Sequence, residues 1–337
     1  MSVDVSVVIP VYNSAQYLPK LVSRLISVLE REAPQFEIIL VDDGSTDGSW
    51  DVLSELWTRY PVHVMAIQLM RNYGQHNALM CGFRQTRGEY VVTMDDDLQN
   101  PPEEISKLLF KIRESGADLV YGVYAQKKHA AWRNVGSALV RRFYKMVLKV
   151  PIEPTSFRII KSKLLKSILS YNKNFTYVDG LLTWNTQRID AIVVEHQARM
   201  NGRSGYSMSR LLVLSLNLFT NFSLIPLQLV SVWGMFVAIV GLLFGVYFLV
   251  QSILANIVVT GYASIIVAIL VLGGTQLLAL GIIGEYLGRV HLNVNRKPQY
   301  VERQILCADP DSMSYSPTEQ EVLASLGQGI DSSDIVY

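Results

Sequence analysis

Short continuous apolar runs alternate along the first 120 or so residues with stretches whose apolar positions recur every three or four residues. Val5 to Pro10 is β-branched and apolar, the composition of a buried parallel strand. A turn over Val11 to Ala15 follows, and Leu18, Leu21, Val22, Leu25, Ile26 and Leu29 then predict a helix over Tyr17 to Glu30. The pattern repeats. Phe36 to Val41, Val62 to Gln68, Tyr90 to Met94 and Ala117 to Val123 read as strands, with helices over Trp50 to Tyr60, Asn77 to Gln85 and Pro102 to Glu114. Such alternation predicts an α/β domain with a doubly wound sheet and right-handed crossovers, whose polar strand ends gather on one edge.

The pattern changes in the second half. Leu229 to Val250 and Ala263 to Leu287 are apolar for lengths near the ~20 residues that cross a bilayer core. Between them Gln251 to Tyr262 has no Lys or Arg, whereas Arg199, Arg203 and Arg210 precede the first span and Arg289, Arg296 and Lys297 follow the second. The positive-inside rule then predicts a transmembrane hairpin with both flanks in the cytoplasm. Ser207 to Leu227, ended by Pro226, reads as an amphipathic helix, lying in the membrane interface or packed on the first domain. The stretch after about Val301 is rich in Ser, Asp, Gln and Gly and reads as a loose tail. The expected division is a catalytic domain over 1–206, an interfacial helix over 207–228, the hairpin over 229–288 and a cytoplasmic tail over 289–337.

Composition supports a two-part chain. Its 337 residues suffice for two domains, and the mean hydropathy of +0.24 suits one of them being in lipid. A net charge of +1 gives no field that would recruit nucleic acid, so no nucleic-acid partner is expected. Cys81 and Cys307 offer neither a disulfide framework nor a metal spacing. Met1 to Val11 lacks the basic start and long apolar run of a signal peptide, which predicts a first domain that stays where it is made.

Chemistry concentrates at the predicted strand ends. The strand over Tyr90 to Met94 runs into Asp95, Asp96 and Asp97, with Gln99 keeping the two-residue spacing before Pro101 and Pro102. Open α/β sheets bind ligands at that edge, and Asp95 and Asp97 can approach one divalent cation with hard oxygen ligands. Pro10, Tyr12 and Asn13 follow the first strand, and Asp42 and Asp43 end the second. An aromatic face and carboxylates thus converge where a base and ribose could stack and hydrogen-bond. Neither G-x-G-x-x-G after the first strand nor G-x-x-x-x-G-K-[ST] is present, which argues against dinucleotide and P-loop chemistry.

Four motifs together carry a family resemblance: Val7-Val8-Ile9-Pro10-Val11-Tyr12-Asn13, Val41 to Gly48, Arg71-Asn72-Tyr73-Gly74-Gln75, and Asp95-Asp96-Asp97-Leu98-Gln99-Asn100-Pro101-Pro102. The chain resembles family 2 glycosyltransferases of the GT-A fold, and within them the polyprenyl-phosphate glycosyltransferases, over about residues 3 to 300. That resemblance implies a Rossmann-like catalytic domain and an inverting transfer of sugar from a nucleotide sugar, by family habit a uridine one, to polyprenyl phosphate at the inner membrane. It implies Mg²⁺ or Mn²⁺ held by Asp95, Asp97 and Gln99, with Pro10, Tyr12, Asn13, Asp42, Asp43, Asp95 and Asp96 about the nucleotide. Arg133 matches an arginine near the phosphates, and Glu153 is the candidate carboxylate near the acceptor. Asp97, Glu153 and Arg133 are the implied catalytic set, and Arg199, Arg203 and Arg210 are expected to meet the acceptor phosphate. Ser14 stands where the family often has Glu, and Tyr124 where it often has Arg.

A nucleotide-sensing membrane scaffold would explain the hairpin but not the acidic positions in register with an aromatic nucleotide site. A processive polysaccharide synthase of the same broad family would need more spans and a Q-x-x-R-W segment, and only Gln187-Arg188 is found. Glycines 234, 241, 245, 273 and 274 in the spans allow close helix contact, which makes room for a homo-oligomer.

Overall fold

A computed structural model of the chain describes residues 3–124, 152, 154–171, 176–197, 225–254, 262–294 and 298–308. The predicted alternation is present. Strands β1 (Val5–Val11), β2 (Phe36–Asp42), β3 (Val64–Leu69), β4 (Tyr90–Thr93) and β5 (Leu119–Tyr124) are separated by helices α1 (Leu18–Glu32), α2 (Ser49–Arg59), α3 (Gln75–Arg84) and α4 (Ile105–Ser115). Strands β1 and β2 are buried along their whole length, as their largely β-branched and aliphatic runs require, and the polar Ser6 and Glu37 within them bond each other at 2.6 Å. Helix α1 buries the six apolar positions that predicted it, together with Val28.

Three further strands complete an eight-stranded sheet of order β7-β5-β6-β4-β1-β2-β3-β8. Strand β6 (Arg158–Lys161) lies antiparallel between β4 and β5 and leads into helices α5 (Ser162–Leu169) and α6 (Val178–Asn185). Strand β7 (Ile189–Val194) pairs parallel with β5 at one edge, and β8 (Glu302–Leu306) pairs antiparallel with β3 at the other. The α/β sheet expected from the sequence is therefore present as a mixed one, with β6 and β8 antiparallel to their neighbours. The central β4-β1-β2-β3 block keeps the parallel pairing expected of it. Core clusters lie on both faces, one including Leu21, Leu25 and Leu108, the other Leu79, Phe83 and Leu165.

Strand β8 falls inside the stretch read as a loose tail. Its two central residues are exposed and polar, so its pattern carries too few apolar positions to announce a strand. Tertiary contacts supply what the pattern lacks. Ala66 pairs with Leu306, Met70 N–H donates to the Val301 carbonyl at 2.9 Å, and the Cys81 thiol meets Glu302 Oε1 at 3.4 Å. Just before β8, the Gln299 side-chain amide donates to Thr176 Oγ1 at 3.0 Å and to the Tyr171 carbonyl at 3.2 Å.

Helices α7 (Ile225–Leu254, 30 residues) and α8 (Tyr262–Val294, 33 residues) extend the two apolar stretches at both ends. At 1.5 Å per residue they are roughly 45 and 50 Å long. They touch one another, and side chains such as Leu243, Phe236 and Leu277 are exposed on them. Taking the described residues alone, no helix is long and apolar enough to cross a membrane. Several side chains within both helices, and most of the expected interfacial segment 207–228, lie outside the described residues.

Candidate functional site

The carboxyl ends of β1, β2 and β4 converge on one edge of the sheet, and each delivers a polar loop there. After β2, Asp42 is buried and accepts the Ser45 N–H at 3.0 Å through Oδ1, while its Oδ2 has no hydrogen-bond partner among the described residues. Asp43, also buried, accepts two backbone N–H groups that open α3, from Tyr73 at 2.6 Å and Gly74 at 2.8 Å. Burial outweighs those two bonds and pushes the Asp43 carboxyl up to about 6. Gly44 lets the two loops meet. Its φ is +70°, and a Cβ there would sit 2.6 Å from the Arg71 carbonyl carbon, in backbone that has nowhere to go. Gly44→Ala should therefore cost about 1–3 kcal/mol of stability and weaken nucleotide binding, measured by thermal denaturation and by titration with a nucleoside diphosphate.

After β1, Tyr12 is half exposed, as a stacking platform must be. Asn13 takes a left-handed φ of 53° and locks this loop to the next: its Oδ1 accepts the Thr46 N–H at 2.8 Å, and its own N–H donates to Ser45 Oγ at 3.0 Å. Pro10 pairs with Val41 inside the sheet, two residues before the loop begins at Tyr12. Its ring fixes the strand exit.

Beyond β4 the acidic motif divides its labour. Asp95 accepts Gln75 Nε2 at 2.7 Å on one oxygen and Ser156 Oγ at 2.5 Å on the other. Asp96 turns the opposite way and ties the motif to the Tyr12 loop, accepting the Tyr12 N–H at 3.0 Å and the Ser14 hydroxyl. Asp97 accepts both the backbone N–H of Gln99, at 3.1 Å, and its side-chain amide. Leu98, at φ 60°, makes the tight turn that brings those two residues together.

Burial raises the Asp95 carboxyl above its ordinary value, and the charge on Asp97 raises it further. Asp96 is pushed up to about 6, again chiefly by burial. Two like charges this close are what a divalent cation relieves. The donor set, two carboxylates and the oxygen end of the Gln99 amide, is all hard oxygen and fits Mg²⁺ or Mn²⁺. Among the described residues no group of three or more His, Cys, Asp and Glu could hold a metal ion alone. The chemistry of the set suits a cation shared with substrate phosphates.

The structure brings Pro10, Tyr12, Asn13, Asp42, Asp43, Asp95, Asp96, Asp97 and Gln99 to one edge, as expected. Arg133, Glu153, Arg199, Arg203 and Arg210 lie outside the described residues. Both departures from the family pattern sit in the site: Ser14 bonds Asp96, and Tyr124 donates its hydroxyl to Asn100 Oδ1 at 2.9 Å while lying near Asp95 and Asp97. Four residues were given no role from sequence. Gln75 and Ser156 hold Asp95, Asn100 anchors Tyr124, and His196 lays its ring 4.1 Å from that of Tyr124. Two of them had a signal, Gln75 as the last residue of the Arg71 to Gln75 motif and Asn100 as a member of the Asp95 to Pro102 motif.

An undecaprenyl-phosphate 4-deoxy-4-formamido-L-arabinose transferase of Pseudomonas syringae pv. syringae is 35% identical over 322 residues, covering 93% of this chain and 95% of the relative. An uncharacterized glycosyltransferase of Synechocystis sp. is 33% identical over 325 residues, covering 95% and 99%. Glucosyl-3-phosphoglycerate synthase of Mycobacterium tuberculosis, a solved structure, is 18% identical with a TM-score of 0.49, over 65% of this chain and 78% of that one. Residues 6–169, from β1 to the end of α5, match the model of glycosyl transferase family 2, and with full-length relatives above 30% identity the chain belongs to that family, on an α/β scaffold of the GT-A type.

Proposed function

We propose that the protein transfers a sugar from a nucleotide sugar to undecaprenyl phosphate, or a closely similar polyprenyl phosphate, at the cytoplasmic face of the inner membrane. The observation that carries this reading is the identity of 35% across 93% of the chain with transferases whose names state that acceptor. The Tyr12 face and the Asp42 and Asp43 carboxylates receive base and ribose, by family habit uridine. Asp95, Asp97 and Gln99 would hold the divalent cation, Mg²⁺ or Mn²⁺, which as a Lewis acid offsets charge gathering on the departing diphosphate.

A polyprenyl phosphate is already anionic at neutral pH, so positioning matters more than deprotonation. In-line attack by its oxygen on the anomeric carbon forms the new bond as the nucleoside diphosphate leaves, with inversion. A hairpin in the bilayer, with the sheet domain and both termini cytoplasmic, rests on the sequence of the two apolar stretches and their basic flanks, each stretch lying within one helix, α7 or α8.

Purified protein in lipid nanodiscs should convert labelled nucleotide sugar to lipid-linked sugar, releasing nucleoside diphosphate only when undecaprenyl phosphate is added. A panel holding uridine-linked glucose and uridine-linked 4-deoxy-4-formamido-arabinose would name the sugar. Diphosphate release without lipid, or a long polymer as product, would overturn the reading. Arg203 should serve the acceptor, since arginine forks two hydrogen bonds onto a phosphate and lysine does not. Arg203→Ala and Arg203→Lys should each raise KM for polyprenyl phosphate about tenfold or lower kcat, with nucleotide affinity unchanged. Normal acceptor kinetics in Arg203→Ala would remove that role.

A further inference from the structure

Beneath the acidic motif, on the sheet face covered by α3, α5 and α6, lies a group of buried polar side chains that no step of the transfer uses. The antiparallel insertion of β6 sets Thr93, Arg158 and Tyr121 side by side across three strands. Arg158 is 1% exposed and ion-paired with Asp179 of α6, which also accepts the Tyr121 hydroxyl at 2.9 Å. His76, the second residue of α3, packs edge-on against Tyr177 at 5.1 Å and lies within electrostatic reach of both Arg158 and Asp179. Burial pushes its imidazole down to about 4, so it is neutral at physiological pH.

As a source of stability this arrangement is poor. A buried ion pair returns little over well-packed apolar side chains of the same volume. Here Arg158 Nε and His76 Nδ1 are buried with no hydrogen-bond partner among the described residues. What the group does hold is the pair of segments that meet Asp95. Ser156, two residues before Arg158, is fixed by the Thr93 hydroxyl, which donates to its carbonyl at 2.6 Å, and Thr155 Oγ1 donates to the Gly122 carbonyl at 2.9 Å. Gln75 directly precedes His76. Ser156 and Gln75 donate to the two oxygens of Asp95, one to each.

We propose that the Arg158–Asp179 pair, with Tyr121 and His76, is a positioning device for Asp95. From beneath, it fixes β6 and the first turn of α3, so that Ser156 and Gln75 hold one carboxylate in the orientation a divalent cation needs. The inference rests on the reading of Asp95 as a metal ligand. Partners of this kind, one step removed from the ion, typically set affinity by about 10–100-fold.

The test is Mn²⁺ binding by the full-length protein with UDP present, followed by the paramagnetic resonance signal of free Mn²⁺, with melting temperature recorded alongside. The double variant Arg158→Met, Asp179→Leu exchanges the pair for apolar groups and should melt at or above the native temperature. Its Mn²⁺ affinity should nevertheless fall about tenfold, with metal-free UDP affinity unchanged. Ser156→Ala should weaken Mn²⁺ in the same direction, and Asp95→Asn should abolish the UDP-dependent binding. Native Mn²⁺ affinity in both the double variant and Ser156→Ala, with Asp95→Asn still deficient, would overturn the positioning role alone. Binding that Asp95→Asn leaves intact would overturn the ligand reading and this proposal with it. Should the double variant fail to fold, Ser156→Ala combined with Gln75→Ala decides the matter by the same readout.

Discussion

Asp97→Asn should lower transfer of sugar to lipid by at least about a hundredfold while leaving the melting temperature within a degree or two. An amide in place of a carboxylate removes charge from the cation site, and at about 1.4 kcal/mol per tenfold of rate, losing about 3 kcal/mol of a Lewis-acid contribution is a hundredfold. Stability should be spared because Asp97 sits on a turn outside the core, where it bonds Gln99 two residues on and an amide oxygen can still accept the Gln99 N–H. Asp96→Asn should be milder. Its carboxylate faces the Tyr12 loop, and an amide oxygen can still accept the Tyr12 N–H that is held there at 3.0 Å. Labelled-sugar transfer to undecaprenyl phosphate, with thermal denaturation as control, measures both. Equal tolerance of the two changes would remove the metal assignment.

A second large effect is expected on acidification. Burial holds the folded Asp43 carboxyl at about 6, against an ordinary value of 3.8. The protonated form is thus the one that folding favours. Its contribution to stability is fully present below about pH 4 and is lost as pH rises through 6, roughly 3 kcal/mol in all for a shift of this size. Function runs the other way. Only the carboxylate can accept the N–H groups of Tyr73 and Gly74 on both oxygens and still offer a lone pair to a ribose hydroxyl. Lowering pH from 7 to 5 should therefore cut kcat/KM for the nucleotide sugar about tenfold while this group's contribution to stability of the free protein rises. Asp43→Asn should start low at pH 7 and lose the acid limb. An unchanged limb in that variant would assign it elsewhere.

The strands β1 to β5 and the helices between them were legible because each buries a face that its own residues declare, by continuous β-branched runs or by helical spacing. Strand β6 was not, since a four-residue strand that opens with Arg158 and closes with Lys161 has no apolar run long enough to register. Its strand character comes from pairing with β4 and β5. The acidic motif announced the site because the ligand edge of an α/β sheet is a local consequence of strand and loop order. The partners of Asp95 did not announce themselves. Ser156 lies 61 positions away and Gln75 lies 20, and only the assembled sheet brings them to one carboxylate. Ser14 and Tyr124 were visible only as departures from a family pattern, and the structure turns both into contacts with the motif.

Strand β8 gives the chain an order of assembly. The β3 edge lies in the first quarter of the polypeptide, and the strand that covers it follows the whole of α7 and α8. During synthesis at ~5–20 residues per second, that edge would stay open until the proposed hairpin has been made. An open edge is a template for the wrong partner. Closing the loop between Ala66 and Leu306 also carries an entropic cost that falls when the intervening segment is already held in a bilayer. Membrane insertion would in this way precede completion of the sheet, and a chain that failed to insert would be left with its Arg71 to Gly74 loop, which grips Asp43, attached to an unsealed strand.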